Sequence, residues 1–271
     1  MDTVTSRDGT TIAYEAAGDG PALILVDGAL STSRGESKPE LVACLAPRFT
    51  VHNYDRRGRG ESGDTQPYAV AREIEDIDAL IERAGGRAFL FGHSSGGCLA
   101  LEAAGALGDR VARVAVYEAP WNDDPAIQKA WADYLSDLGE ALASGRRGDA
   151  VALFMRYLGT PPDQIAAMRA APFWPDLEAI APTLAYDHRE IMGATTAVPN
   201  EELAGVEVPV LAICGDASPA FMCATAHTIG RTARHGESRV LEGQTHTVSP
   251  KVIAPVLIGF FSGEAEAGEA A

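Results

Sequence analysis

Gly92-His93-Ser94-Ser95-Gly96-Gly97 decides the fold. The hexapeptide follows an apolar run of strand length, Arg87 to Phe91, and precedes an apolar helical stretch around Leu99 and Leu101. A hydroxyl carried on a sharp strand-to-helix turn needs near-absent side chains two residues to either side, because the backbone is strained and neighbouring chains crowd it. Gly92 and Gly96 meet that need around Ser94, whereas Ser95 fails it, since His93 precedes it by two. The stretch predicts a nucleophile elbow on Ser94. The helix that follows aims its first N–H groups at the same place, which makes the N–H of Ser95 an oxyanion donor. The plainer alternative is a glycine-rich loop without chemistry, and the strand-turn-helix setting argues against it.

Outward from the elbow, apolar runs bounded by turn residues recur at Ala22 to Val26, Phe49 to Tyr54, Val111 to Tyr117, Val208 to Cys214 and Ser238 to Leu241. Their nearly continuous hydrophobicity predicts parallel strands buried on both faces. Val70, Ile74, Ile77, Leu80, Ile81 and Ala84 recur at helical spacing, with Gly85 as a stop. Thr3 to Glu15 reads as a hairpin around Arg7-Asp8-Gly9. Ser249 and Pro250 read as cap and first turn of a last helix, which Pro255 should kink or start.

The alternation breaks between Trp121 and about Gly205, where Ile127, Trp131, Tyr134, Leu135, Leu138 and Leu142 form a helical stripe. The expected fold is α/β, a mostly parallel sheet flanked by helices with a helical lid inserted after the sixth strand. Its parts are a core in two pieces, 1–120 and 206–262, a lid at 121–205 and a disordered acidic tail at 263–271.

With 271 residues, 46% hydrophobic and 22% charged, the chain can bury one large core carrying an inserted cap. A formal net charge of -16 opposes approach to phosphate backbones or anionic lipid, so no nucleic-acid or membrane partner is expected. The first residues lack a secretory pattern, which leads to the expectation of a cytoplasmic protein. Cys44, Cys98, Cys214 and Cys223 show no zinc or CxxC spacing and are read as reduced packing residues. No metal or organic cofactor is expected, and self-association is left open.

These residues together resemble the α/β-hydrolase family over nearly the whole chain. The resemblance implies that Asp27-Gly28-Ala29, where the family commonly has His-Gly, forms the other half of an oxyanion hole through Gly28 or Ala29. It implies a structural turn at Tyr54 to Ser62. It also places the general base after the last strand, at His246 in Glu242-Gly243-Gln244-Thr245-His246. His93 is read as shaping the elbow rather than reacting.

The acid departs from the family pattern, because Ser218 stands where many members carry Asp. Glu118, at the carboxyl end of the strand beside the nucleophile strand, and Asp216 are the two candidates. Their plain alternatives are a capping or salt-bridging carboxylate and a turn residue satisfying its own backbone. A narrower similarity is to zearalenone-lactonase-type hydrolases, which share the Asp-Gly, a Ser-Ser elbow, a Glu after the sixth strand and no acid after the seventh. It implies hydrolysis of a small apolar or aromatic ester or lactone through an acyl-enzyme on Ser94. Carbon-carbon bond hydrolysis, perhydrolysis and a non-catalytic binding role on the same fold are the alternatives. Trp174 is the expected lid contact to substrate, and Asp27 is read either as an acceptor for a substrate hydroxyl or as loop support.

Overall fold

A computed structural model describes residues 1–35 and 38–263. Strands β1 (Asp2–Thr5) and β2 (Thr11–Ala17) form the expected hairpin, with Gly9 at φ 88° supplying the left-handed backbone of the turn. Then follow β3 (Ala22–Val26), α1 (Lys38–Leu45), β4 (Thr50–Tyr54), α2 (Val70–Arg83), β5 (Ala88–His93), α3 (Ser95–Leu107) and β6 (Val111–Tyr117). Helices α4 (Pro125–Ala143), α5 (Arg147–Tyr157), α6 (Pro162–Arg169), α7 (Trp174–Ile180), a π-helical turn at Tyr186–Ile191 and α8 (Asn200–Ala204) intervene. The chain returns to the core with β7 (Val210–Gly215), α9 (Ala220–Thr232), β8 (Gly236–Leu241) and α10 (Pro250–Ser262).

The strands join one eight-stranded sheet in the order β1-β2-β4-β3-β5-β6-β7-β8. β3 to β8 run parallel, and β2 pairs antiparallel with β1 and β4. Strand β3 shows why an unbroken apolar run was needed. Its side chains alternate across the sheet, so Ile24 and Val26 pack with Ile77, Leu80 and Leu99 of α2 and α3. Leu23 and Leu25 face the other way, onto Leu41, Leu45 and Leu257 of α1 and α10. Truncating any of these leucines to alanine removes buried surface and leaves a cavity, at a cost of roughly 2–5 kcal/mol.

The expected end of α2 also holds: Gly85 sits at φ 105°, and the Gly86 N–H reaches back to the Ile81 carbonyl at 2.8 Å. Three expectations need correction. Helix α10 starts at Pro250, as its first-turn reading had it, and not at Pro255, which lies inside the helix on an exposed side where water can meet the carbonyl that loses its partner. The Ser249 side chain makes no capping hydrogen bond. Cys214 and Cys223 form a disulfide, because the end of β7 and the first turn of α9 fold over each other with Cα atoms 5.2 Å apart; Cys44 and Cys98 are free thiols. The tail expected at 263–271 lies, beyond Gly263, outside the described residues.

Between β6 and β7, Trp131, Tyr134, Leu135 and Leu138 of α4 are buried as the stripe predicted, while Ile127 is exposed. The turn Tyr186–Ile191 packs on α2 and α3, which brings the inserted helices to the elbow. Among the described residues, no helix is long and apolar enough to cross a membrane.

Candidate active site

Strand β5 ends where the sequence placed the elbow. Ser94 adopts φ 57° and ψ -130°, a backbone region that costs a side-chain-bearing residue on the order of 1–3 kcal/mol. Its surroundings hold it there: the Ser94 N–H donates to the Tyr117 carbonyl at 2.9 Å, and its carbonyl accepts from Gly97 N–H at 2.8 Å. A Cβ on Gly96 would run into the carbonyl oxygens of Val26 and Asp27, and one on Gly92 would sit 2.5 Å from the Gly97 Cα. Both glycines are thus required by close approach of backbone. Gly28, on the loop after β3, lies against the elbow, since a Cβ there would come within 2.9 Å of Ser94 Cβ and 3.4 Å of Ser94 Oγ.

Glu118 follows β6 and, like Ser94, takes a positive φ, 50°. One carboxylate oxygen, Oε2, lies 2.7 Å from His246 Nδ1, and the other accepts the Gly215 N–H at 2.9 Å. Burial pushes the Glu118 carboxyl up, but the hydrogen bonds from His246 and Gly215 outweigh it and hold the pKa below its ordinary value. Ser218 Oγ, buried and without a hydrogen bond of regular geometry, adds a favourable dipole beside the same carboxylate. An ionised carboxylate only accepts, so His246 donates from Nδ1, and in the neutral ring the lone pair then lies on Nε2. The His246 side chain is 42% exposed on a loop after β8.

Two neighbours of these residues fix that loop. His93 Nε2 donates to the His246 carbonyl at 2.9 Å, and the two rings stand 4.8 Å apart. The Tyr117 hydroxyl donates to the Thr245 carbonyl at 2.6 Å. Asp216, the other candidate acid, spends Oδ1 on the Gly243 N–H at 2.6 Å, so it braces the start of the loop instead of touching His246. That role is neither of the two weighed from sequence.

Asp27 is buried, with Oδ1 in an ion pair with Lys38 and Oδ2 lacking a hydrogen-bond partner among the described residues. Lys38 answers the difficulty of a carboxylate beside an oxyanion site, because it balances the charge. Asp27, Lys38, Phe91, His93 and Val248 help line a cavity of about 260 Å³ between the loops after β3 and β8.

Trp174 does not join the site. It is buried, donates from Nε1 to Glu178 at 2.7 Å and carries the Arg169 guanidinium 5.6 Å over its ring. Those partners tie it to the packing of the inserted helices, which corrects the expectation of a substrate contact.

Beneath the site lies a group that the sequence did not reveal. Arg56 spans Glu73 with a two-pronged pair at 2.6 and 2.7 Å, and its Nη1 also reaches Asp187 Oδ1 at 2.6 Å. Arg59 Nη2 lies 2.5 Å from Asp187 Oδ2. The arginines were visible only as a structural turn, and nothing local marked Asp187 as their partner.

A strained serine and a carboxylate-bound histidine at the carboxyl ends of parallel strands define a site of the α/β-hydrolase class. Residues 34–254 match the alpha/beta hydrolase family model, and the chain belongs to that family. Among solved structures, it is similar to an alpha/beta hydrolase from Sphaerobacter thermophilus, at 49% identity and a TM-score of 0.84, covering 96% of this chain and 100% of that one. A thermophilic esterase from Thermogutta terrifontis shares the fold at 18% identity, TM-score 0.72, with 97% and 98% covered. The enol-lactonase of Burkholderia xenovorans does so at 21%, TM-score 0.65, with 96% and 100% covered. A proline iminopeptidase of Pestalotiopsis fici is 30% identical over 98 residues, and the match spans about a third of each protein, 34% of this chain and 35% of the relative.

Proposed function

We propose that this α/β hydrolase cleaves a carboxylic ester or lactone through an acyl-enzyme on Ser94. The observation that carries the reading is the 2.7 Å contact between Glu118 Oε2 and His246 Nδ1, in a loop that His93 ties to the elbow. It supports Glu118 as the carboxylate in place of an Asp at position 218, with Nε2 of His246 as the base.

In this reading Ser94 Oγ attacks the carbonyl carbon while His246 Nε2 takes its proton. The tetrahedral oxyanion is held by the N–H of Ser95 and an N–H near Gly28 or Ala29. Collapse expels the alcohol, which receives the proton from His246. Water, deprotonated by the same nitrogen, then releases the acid and restores Ser94. Glu118 keeps the tautomer and stabilises the imidazolium in both halves.

The similarity to zearalenone-lactonase-type sequences and the esterase and enol-lactonase among the fold relatives support an ester or lactone with an apolar or aromatic body. Asp27 Oδ2, buried and without a hydrogen-bond partner among the described residues, is the acceptor this reading assigns to a substrate hydroxyl once the loop admits it.

Labelling by a fluorophosphonate, followed by peptide mapping, tests the nucleophile. Modification of Ser94 in the wild type, and neither labelling nor turnover of aryl esters in Ser94→Ala, is the expected result. Undiminished hydrolysis by Ser94→Ala would refute the assignment.

A further inference from the structure

We propose that Asp187, carried by the inserted helices, is a positioning residue that aligns both halves of the oxyanion hole; the inference rests on the serine-hydrolase reading. Five hydrogen bonds carry it. Ser95 Oγ donates to Asp187 Oδ1 at 2.9 Å, fixing the first residue of α3, whose N–H is one donor. Arg59 bridges Asp187 to the other side: Nη2 meets Asp187 Oδ2 at 2.5 Å and Nη1 donates to the Gly28 carbonyl at 2.6 Å. Arg56 does the same one residue earlier, donating to the Asp27 carbonyl at 2.9 Å and to Asp187 Oδ1 at 2.6 Å. One carboxylate therefore controls the residue after the nucleophile and two consecutive peptides of the loop that faces it.

The peptide geometry gives this control a chemical meaning. In a trans peptide the C=O and N–H point in opposite directions, so a guanidinium that pins the Gly28 carbonyl also fixes the direction of the Ala29 N–H. A carbonyl that accepts from a cation is polarised, which strengthens the N–H of the same peptide as a donor. The group is buried, with Asp187 at 0% and Arg56 and Arg59 at 1% exposure, so little water competes for these bonds. Two cations and two anions balance, with Glu73 as the second anion. A buried ion group of this kind is weak as a source of stability, since apolar replacements often stabilise as well or better. Orientation is what it provides. Asp187 sits in the π-helical turn Tyr186–Ile191, so the inserted helices and the oxyanion loop share one anchor.

Steady-state kinetics of p-nitrophenyl acetate hydrolysis by Asp187→Asn and Ser95→Ala, with Ser94→Ala as control, test this. Asp187→Asn is expected to lower kcat by about 10²-fold and Ser95→Ala by about tenfold, with KM within twofold and the pH profile of kcat unmoved, because base and acid are intact. Should Asp187→Asn fail to fold, Ser95→Ala decides alone, since it uncovers no extra charge. Folded variants with wild-type kcat, or a fall in kcat matched by a rise in KM and a displaced pH profile, would overturn the proposal while a silent Ser94→Ala left the nucleophile standing. An active Ser94→Ala would instead remove the reading on which it rests.

Discussion

His93 donates to the main-chain carbonyl of His246 across 153 residues of sequence, so the residue before the proposed nucleophile holds the backbone of the proposed base. Burial first, then the charges of His246 and Lys38, press the His93 pKa down to about 3, which keeps that ring neutral at ordinary pH. His93→Phe keeps the volume but loses the donor. We expect kcat to fall by up to about 10², the scale of a misplacement of about 1 Å, with the melting temperature changed little. Wild-type turnover in that variant would show that the loop needs no such tie.

Glu118→Gln should lose about 10⁴ in kcat, because an amide can select the wrong tautomer of His246 and cannot stabilise its charge. Asp216→Ala frees the Gly243 N–H on an exposed turn and should stay within a few fold of wild type. Rates of both variants on one aryl ester decide between the two carboxylates, and the reverse ranking would transfer the acid to Asp216.

This division of labour shows what the chain made legible. β3 and β6 were readable to the residue because both faces of a parallel sheet are buried, and the elbow was readable because Gly92 and Gly96 are demanded by backbone contact. Glu118 could be found by its place at a strand end. Asp187 could not: its partners Arg56, Arg59 and Ser95 lie 92 to 131 positions away, and ion pairs at that range leave no spacing in the sequence. Trp174 misled because a large aromatic between Phe and Pro reads alike whether it meets a ligand or fills a helical junction. The Cys214–Cys223 bridge was hidden for a related reason, since only the fold of β7 against α9 closes the gap between them.

Stability should fall on mild acidification. Burial lowers the His188 pKa from 6.5 to about 4, although the Asp187 charge opposes the shift. Between those values the unfolded chain binds a proton that the folded one refuses, so unfolding is favoured as pH drops through the window, by about 3 kcal/mol across all of it. His93 acts in the same direction. Urea midpoints at pH 7 and pH 4.5 should separate clearly in the wild type and less in His188→Asn; equal separations would exclude His188 as a source.

The disulfide can be counted. Titration of thiols in denaturant should find two before reduction, from Cys44 and Cys98, and four after it. Closing so short a loop is worth roughly 2–3 kcal/mol in the chain-entropy view, so Cys223→Ala should lower the urea midpoint accordingly. Four thiols without reductant would show that the bridge does not form.

The anchoring of Asp187 constrains how such an enzyme can be re-engineered. Substrate range in this architecture invites exchange of the helices between β6 and β7 for those of another hydrolase. Such a graft would carry away the carboxylate that Arg56 and Arg59 share, while both guanidiniums and Glu73 remain behind. Unless the donor segment brings a carboxylate to the same turn, or Arg59 is replaced at the same time, the chimera begins with one cation more than Glu73 can balance.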